Sequence, residues 1–376
     1  MSDRRSVYRG CLLGLAVGDA MGYTVDSRSW EEIQRDYGPN GLLGYDLVNG
    51  YADVTSYTQL AAFAANGLLL GLTQGQIKGV MSPFVRYMGL GLREWAQSQR
   101  YRSNPGRIFC WLARTKEMCA RRCMDTFMLD TLGRERLGSM EEPLNKFTSP
   151  SSITTAVPVG LFSDAKRMDQ SEIDRLAAET IALTHGGPGA FLAGAAAAHL
   201  ISGILAGSDW NLEELVQQAI DAVQEQFGRE YPQTVELWEL LRLAITLAKS
   251  EKISQVEAME QLRCKTAGEV LAGAVYACLV SEGDFDSAMI VAVNHSGSSA
   301  AVGALTGAML GAKLGEEALP DFYLDCLEPA ELLRELADDL VQGCPMEWDS
   351  SLFDDDWDQK YIHGQPVSKG GWYEEL

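Results

Sequence analysis

Apolar residues along this chain recur with the spacing of helices rather than strands. Leu271, Ala274, Val275, Cys278 and Leu279 stand at i, i+3, i+4, i+7 and i+8, one stripe of a buried helix. Leu212, Leu215, Val216, Ile220 and Val223 form the same stripe on an acidic segment, which Asp209 or Asn211 would cap. Alternating runs bounded by turn residues are scarce. The pattern predicts an all-α globule.

Small residues sharpen that picture. Gly10, Gly14, Gly18 and Gly22 share one helical face, and Gly303, Gly307, Gly311 and Gly315 repeat the device. Glycine inside a helix is destabilising, so repetition on one face implies another backbone packed close against it. Ala190 to Ala206 predicts a third small-residue helix. The simplest arrangement is a compact single-domain bundle with these faces at its centre. Loops are expected at Tyr37 to Gly41, at Arg102 to Gly106 and from Glu142 to Pro158, with no interdomain linker. The bundle is expected over 1–345. The remainder, 346–376, carries Trp348, Phe353, Trp357, Tyr361, Trp372 and Tyr373 among Asp354, Asp355, Asp356, Asp358, Glu374 and Glu375. It reads as an acidic-aromatic arm packed on the body.

Composition narrows the function classes. At 376 residues and 46% hydrophobic, the chain can bury a large core. A net charge of −21 repels phosphate backbones and speaks against nucleic acid. It suits solubility, or docking against a basic protein surface. No secretory signal is visible. The most apolar stretch, Phe191 to Gly207, contains His199 and many Ala and Gly residues, so it reads as a buried helix and not a membrane span. The cysteines at 11, 110, 119, 123, 264, 278, 326 and 344 form no Cys-x2-Cys pair and read as reduced thiols of a cytoplasmic protein. Cys119 and Cys123 lie one turn apart but have no partner pair for a metal.

Several segments together resemble the ADP-ribosylglycohydrolase family. Gly10 to Gly22, containing Asp19, is similar to that family's opening helix, and Tyr37 to Gly41 to the loop after it. Thr58 to Leu69 resembles the helix behind the family's Asp-Asp-Thr-Gln motif. Leu183 to Pro188 with His185 resembles its Thr-His-Gly segment. Val293 to Gly297, followed by Gly303 to Gly307, resembles its second metal motif, and Glu335 to Leu340 its last helix. The blocks occur in family order from about residue 8 to 343. The resemblance implies an all-α fold in which two divalent ions, usually magnesium, position ADP-ribose and a water while a glycosidic bond at the distal ribose is cut.

The chain departs from the family where the ions would sit. Ser56 and Tyr57 stand in place of the first Asp-Asp, and only Thr58 matches. Ser298 and Ala300 replace the second pair of aspartates, while Ser299 keeps a hydroxyl. Serine offers a neutral donor and alanine none, so the expectation is no bound metal. Asp53 reads as a solvated loop residue. Asp26 matches the family's acidic position after the first helix. His185 matches a family histidine and reads as a loop-fixing hydrogen bonder. The stretch from Thr148 to Pro158 lacks the glycines and arginine of the family's phosphate loop. Its serines can donate to phosphate, but Pro150 cannot.

The expected ligand pocket is therefore Asp26, Ser56, Tyr57, Thr58, Ser151, Ser152, His185, Asn294, His295, Ser298 and Ser299. Three functions follow. The first is an inactive family member that binds an ADP-ribosyl or nucleotide ligand, or a protein. The second is a metal-independent hydrolase using Asp26, Tyr57, His185 and His295. Carboxylate-only glycosidases, however, typically need two carboxyl groups, about 5–9.5 Å apart. The third is a structural or interaction protein with no small ligand.

Overall fold

The computed structural model describes residues 3–100, 107–122, 125–166, 168–207, 211–347 and 352–367. These residues form an all-α protein. The helices are α1 Arg4–Tyr23, α2 Trp30–Tyr37, α3 Ser56–Lys78, α4 Phe84–Arg100, α5 Lys116–Cys119, α6 Thr126–Leu132, α7 Ala156–Lys166, α8 Gln170–Ala182 and α9 Pro188–Ala206. They continue with α10 Leu212–Phe227, α11 Thr234–Ala248, α12 Gln255–Leu262, α13 Ala267–Val280, α14 Phe285–Val293, α15 Ser299–Leu314, α16 Asp321–Leu324, α17 Ala330–Gln342 and α18 Asp355–Tyr361. Among the described residues extended pairing is limited to the isolated bridges Val48–Tyr51 and Ala52–Leu327.

The two glycine faces meet each other. α1 and α15 run antiparallel, with Gly10 against Gly311, Gly14 against Gly307 and Gly18 against Gly303. A Cβ at any of these positions would overlap the partner helix's carbonyl. Backbone contact of this kind is available only to glycine, which is why the chain accepts its helical cost. Gly315 lies just past the end of α15 with φ 81°, a backbone conformation suited to glycine, and its carbonyl carbon would be 2.8 Å from a Cβ on Gly10. The antiparallel register brings the C-terminal end of α1 to the N-terminal end of α15, and the candidate site forms there.

The stripes fall where periodicity puts them. α13 and α10 bury them, and Asn211 caps α10 through the N–H of Glu214. Asp209, the alternative cap, lies outside the described residues, as do Arg102 to Gly106 and Cys123. Among the described residues one helix, Pro188–Ala206, is long and apolar enough to cross a membrane by length and composition, and 78% of its most apolar stretch is buried inside the protein. The stretch from Glu142 to Pro158 is not loop throughout. A 3-10 turn spans Ile153–Thr155, and α7 begins at Ala156 with Pro158 in its first turn, where a missing N–H costs no helical bond.

The segment beyond Pro345 packs on the body where it is described. Trp357 Nε1 donates to Thr73 Oγ1 at 2.8 Å, and the Tyr361 hydroxyl donates to Asp339 at 2.6 Å. Lys360 is buried against Asp339 and Glu335. Trp348, Trp372, Tyr373, Glu374 and Glu375 lie outside the described residues.

Candidate functional site: two helix N-termini closed by aspartates

Asp19, near the end of α1, is fully buried and faces the start of α3. Its carboxylate accepts four hydrogen bonds: from Thr55 N at 2.9 Å, Thr55 Oγ1 at 2.6 Å, Thr58 N at 3.0 Å and Thr58 Oγ1 at 2.6 Å. The first N–H groups of a helix have no intrahelical acceptor and carry the positive end of its dipole, so an anion is favoured there. Burial pushes Asp19 up to about 6, and the bonds from Thr55 and Thr58 hold it down against that.

Asp26 performs the same act at the other helix. Its carboxylate accepts Ala300 N, in the first turn of α15, at 2.9 Å, and the Ser27 hydroxyl at 3.1 Å. Ser298, the residue before α15, makes no side-chain cap of its own. Burial raises Asp26 above the ordinary carboxylate range, opposed by the bonds from Ala300 and Ser27. Ser27 N bonds Gly297 O at 3.1 Å, fastening the turn after α1 to this loop.

Tyr57 lies between these two ends and is 3% exposed. Ser298 is among the groups that act on its hydroxyl. Burial above all, then the neighbouring charges of Asp26, Asp19 and Asp125, pushes the phenol far above its usual value, so it stays neutral. Its carbonyl accepts Thr154 Oγ1 at 2.7 Å. A buried, neutral aromatic side chain thus stands at the start of α3, close to Asp19 and Asp26.

Behind Tyr57 stands a hydroxyl-rich network. His185 is fully buried, with Ser149 Oγ 2.9 Å from Nε2, and Ser152 Oγ and Thr184 Oγ1 each 2.9 Å from Nδ1. Asp125 Oδ2 accepts Ser151 Oγ at 2.7 Å and lies 3.7 Å from His185 Nε2. Asp125 Oδ1 caps α6 through Phe127 N and Met128 N. Burial alone would raise Asp125, but the neighbouring His185 and the hydrogen bonds from Ser151 and Met128 outweigh it and hold the carboxyl well below its usual range. Sequence reasoning missed both Asp125 and the role of Asp19. The only local signal at Asp125 is an aspartate preceding a short helix. Asp19 is visible in sequence only as one polar residue on an otherwise apolar, glycine-rich face.

The remaining nominated residues hold the loop before α15. Asn294 pairs with Leu42 in both directions, at 2.8 and 2.9 Å, and donates to Ile290 O. His295 Nδ1 accepts Gly297 N at 2.9 Å, and its Nε2 lies 3.0 Å from Ala292 O, so the second nitrogen carries the proton. Burial drives His295 down to about 4, and it is neutral at physiological pH. Ser299 Oγ reaches His295 O at 3.4 Å, and Ser56 N bonds Arg122 O at 3.3 Å. Asp53 is not a solvated loop residue: it pairs with the half-buried Arg122 at 3.1 Å, and Glu328 grips the same guanidinium. That partner is distant in sequence, which is why spacing could not reveal it.

The hydroxyls of the 148–158 stretch are directed inward. Ser151 is spent on Asp125, Ser152 on His185, Thr154 on Tyr57 O and Thr155 on Ser152 O. Two surface concavities lie elsewhere. One of about 760 Å³ is lined by Trp30, Lys252, Glu257 and Glu260, and one of about 580 Å³ by Glu213, Gln217 and Arg242.

Magnesium takes hard oxygen donors, normally carboxylates whose charge offsets dehydration. Here the two segments present Ser56, Tyr57, Ser298 and Ala300, and the carboxylates beside them are spent on helix N–H groups. Among the described residues no cluster of three His, Cys, Asp or Glu side chains is placed to hold an ion. These residues do not fit a magnesium pair.

The chain belongs to the ADP-ribosylglycohydrolase family, whose profile matches residues 1–350. A solved structure described as an "ADP-ribosylglycohydrolase-related protein complex" is similar to it, with a TM-score of 0.55 and 22% identity, over 91% of this chain and 99% of that one. At that identity the likeness is one of fold. Among curated proteins, none matches this chain at a significant level.

Proposed function

We propose that this family member is a pseudoenzyme, without magnesium-dependent hydrolysis, that acts by binding. The observation that carries the reading is Tyr57, a buried neutral aromatic side chain standing where the family has a metal-binding aspartate. Fold does not imply function, and here the site residues argue against the ancestral reaction. The absent carboxylates lie on both sides of the site while the glycine faces that build the fold are intact.

Between the two ligand classes, the closed cleft favours a protein partner over an ADP-ribosyl or nucleotide ligand. The hydroxyls that would meet a phosphate are committed to Asp125, His185 and Tyr57. A metal-independent hydrolase is disfavoured because His295 is locked by backbone on both nitrogens, and Asp26 is engaged at Ala300 N. Calorimetric titration with ADP-ribose, with and without magnesium, tests the reading. No heat in either condition is expected. Magnesium-independent binding would establish the nucleotide-binding form, and magnesium-dependent binding would overturn the proposal.

A further inference from the structure

The linker between α2 and α3 carries a second unexplained feature, a set of large apolar side chains turned to solvent. Leu43, Leu47, Val48 and Tyr51 are 55%, 42%, 53% and 57% exposed. Val48 and Tyr51 flank a tight turn, with Leu47 immediately before it and Leu43 further back in the linker. Val48 and Tyr51 exchange backbone bonds at 2.9 and 3.1 Å around Asn49 and Gly50, which have φ of 54° and 85°. Two successive positive φ angles define the two-residue turn that suits a hairpin, so the display is fixed rather than slack.

The hairpin is anchored to the body at one flank. Ala52 N bonds Cys326 O at 2.8 Å, and Glu328 N bonds Ala52 O at 3.2 Å. The Tyr45 ring stands edge-on to Tyr323 at 5.1 Å, and Phe322, 58% exposed, lies 4.3 Å from Tyr323. Phe322 on α16 is thus exposed beside the buried ring on which Tyr45, just before the turn, packs. Single exposed apolar residues are ordinary, but several grouped around a fixed turn mark an interaction surface.

Charge selects the partner. Asp46, Asp321 and Asp325 are exposed within this surface or at its edge. Arg122, nearby, is consumed by Asp53 and Glu328, and Arg28, just before α2, and Arg35 on it both pair with Asp36. The net charge of −21 acts in the same direction at longer range. The geometry points to a docking face for a protein segment with apolar anchors flanked by lysine or arginine, seated over the hairpin that leads into Tyr57. The inference rests on the binding-protein reading above, but the surface is separate from the cleft.

The test is fluorescence-anisotropy titration of the full chain with two short synthetic peptides sharing one Leu/Phe core. One peptide is flanked by Lys and Arg, the other by Asp and Glu. The basic peptide should bind, weaken as salt rises, and lose roughly tenfold or more in affinity on Leu47→Asp combined with Val48→Asp. Both substitutions are at exposed positions, and an unchanged melting temperature confirms folding. Equal binding of the two peptides, no binding of either, or an unaffected double variant would overturn the inference. So would concentration-dependent dimerisation in sedimentation that the double variant abolishes, since the face would then belong to a second copy. Detection of magnesium-dependent hydrolysis alongside selective basic-peptide binding would sink the pseudoenzyme reading and leave this surface standing.

Discussion

Tyr57, the second residue of α3, is buried beside Asp26, the carboxylate that accepts the Ala300 N–H at the start of α15. In the family these two helix starts would hold aspartates around a pair of ions. Here a neutral phenol is buried next to them.

Removing that side chain has a graded cost. Tyr57→Phe keeps the ring and deletes only the buried hydroxyl, which should lower stability by at most about 0.5–1.5 kcal/mol. Tyr57→Ala empties a buried aromatic site and should lower it by about 3–5 kcal/mol. Urea unfolding reads both. Equal small effects would mean that the ring is not packed between the segments.

Asp19 should make stability depend on pH in an unusual direction. Its folded value of about 6 lies above the ordinary 3.8, so between those values the folded state holds more protons than the unfolded state. Its contribution is fully present below about pH 4 and is lost as pH rises through about 6. Measured against Asp19→Asn, wild-type stability should fall by about 2–3 kcal/mol across that window. A flat difference curve would contradict the burial of an ionisable Asp19.

Asp125 should show the opposite slope. Its carboxyl is held low by His185, Ser151 and the backbone at α6, so its stabilisation is present at neutral pH and is lost as pH falls through the acid range. Asp125→Asn should therefore be less stable than wild type at neutral pH, and the gap should shrink in acid. Acid-denaturation curves of the two proteins provide the comparison, and a gap that widens in acid would refute the assignment.

The glycine ladder can be tested by one methyl group. Gly14→Ala and Gly307→Ala place a Cβ into the opposing backbone and should cost about 1–3 kcal/mol or prevent folding. Gly44→Ala has nothing within 4 Å of its added Cβ and should be near neutral. Thermal melts of the three variants separate close packing from a general intolerance of alanine.

Much of the fold was legible because glycine and apolar spacing reports helix faces directly. Gly10, Gly14 and Gly18 announced a close backbone, and Gly303, Gly307 and Gly311 supplied it. The site was legible only where the family motif pointed, at Asp26, Tyr57 and Ser298. Asp19, Asp125 and the Asp53–Arg122 pair were not, because their meaning lies in partners far away in sequence. Ser56 and Ser299, expected in a ligand pocket, are buried, as are Tyr57, Thr58 and His185.

The most direct test of the central claim is hydrolysis of ADP-ribosyl-arginine and ADP-ribosyl-serine substrates by the full chain at saturating magnesium. The loss of carboxylate ligands beside Tyr57 predicts release of ADP-ribose indistinguishable from a no-protein control. Magnesium-dependent turnover above that control would contradict it.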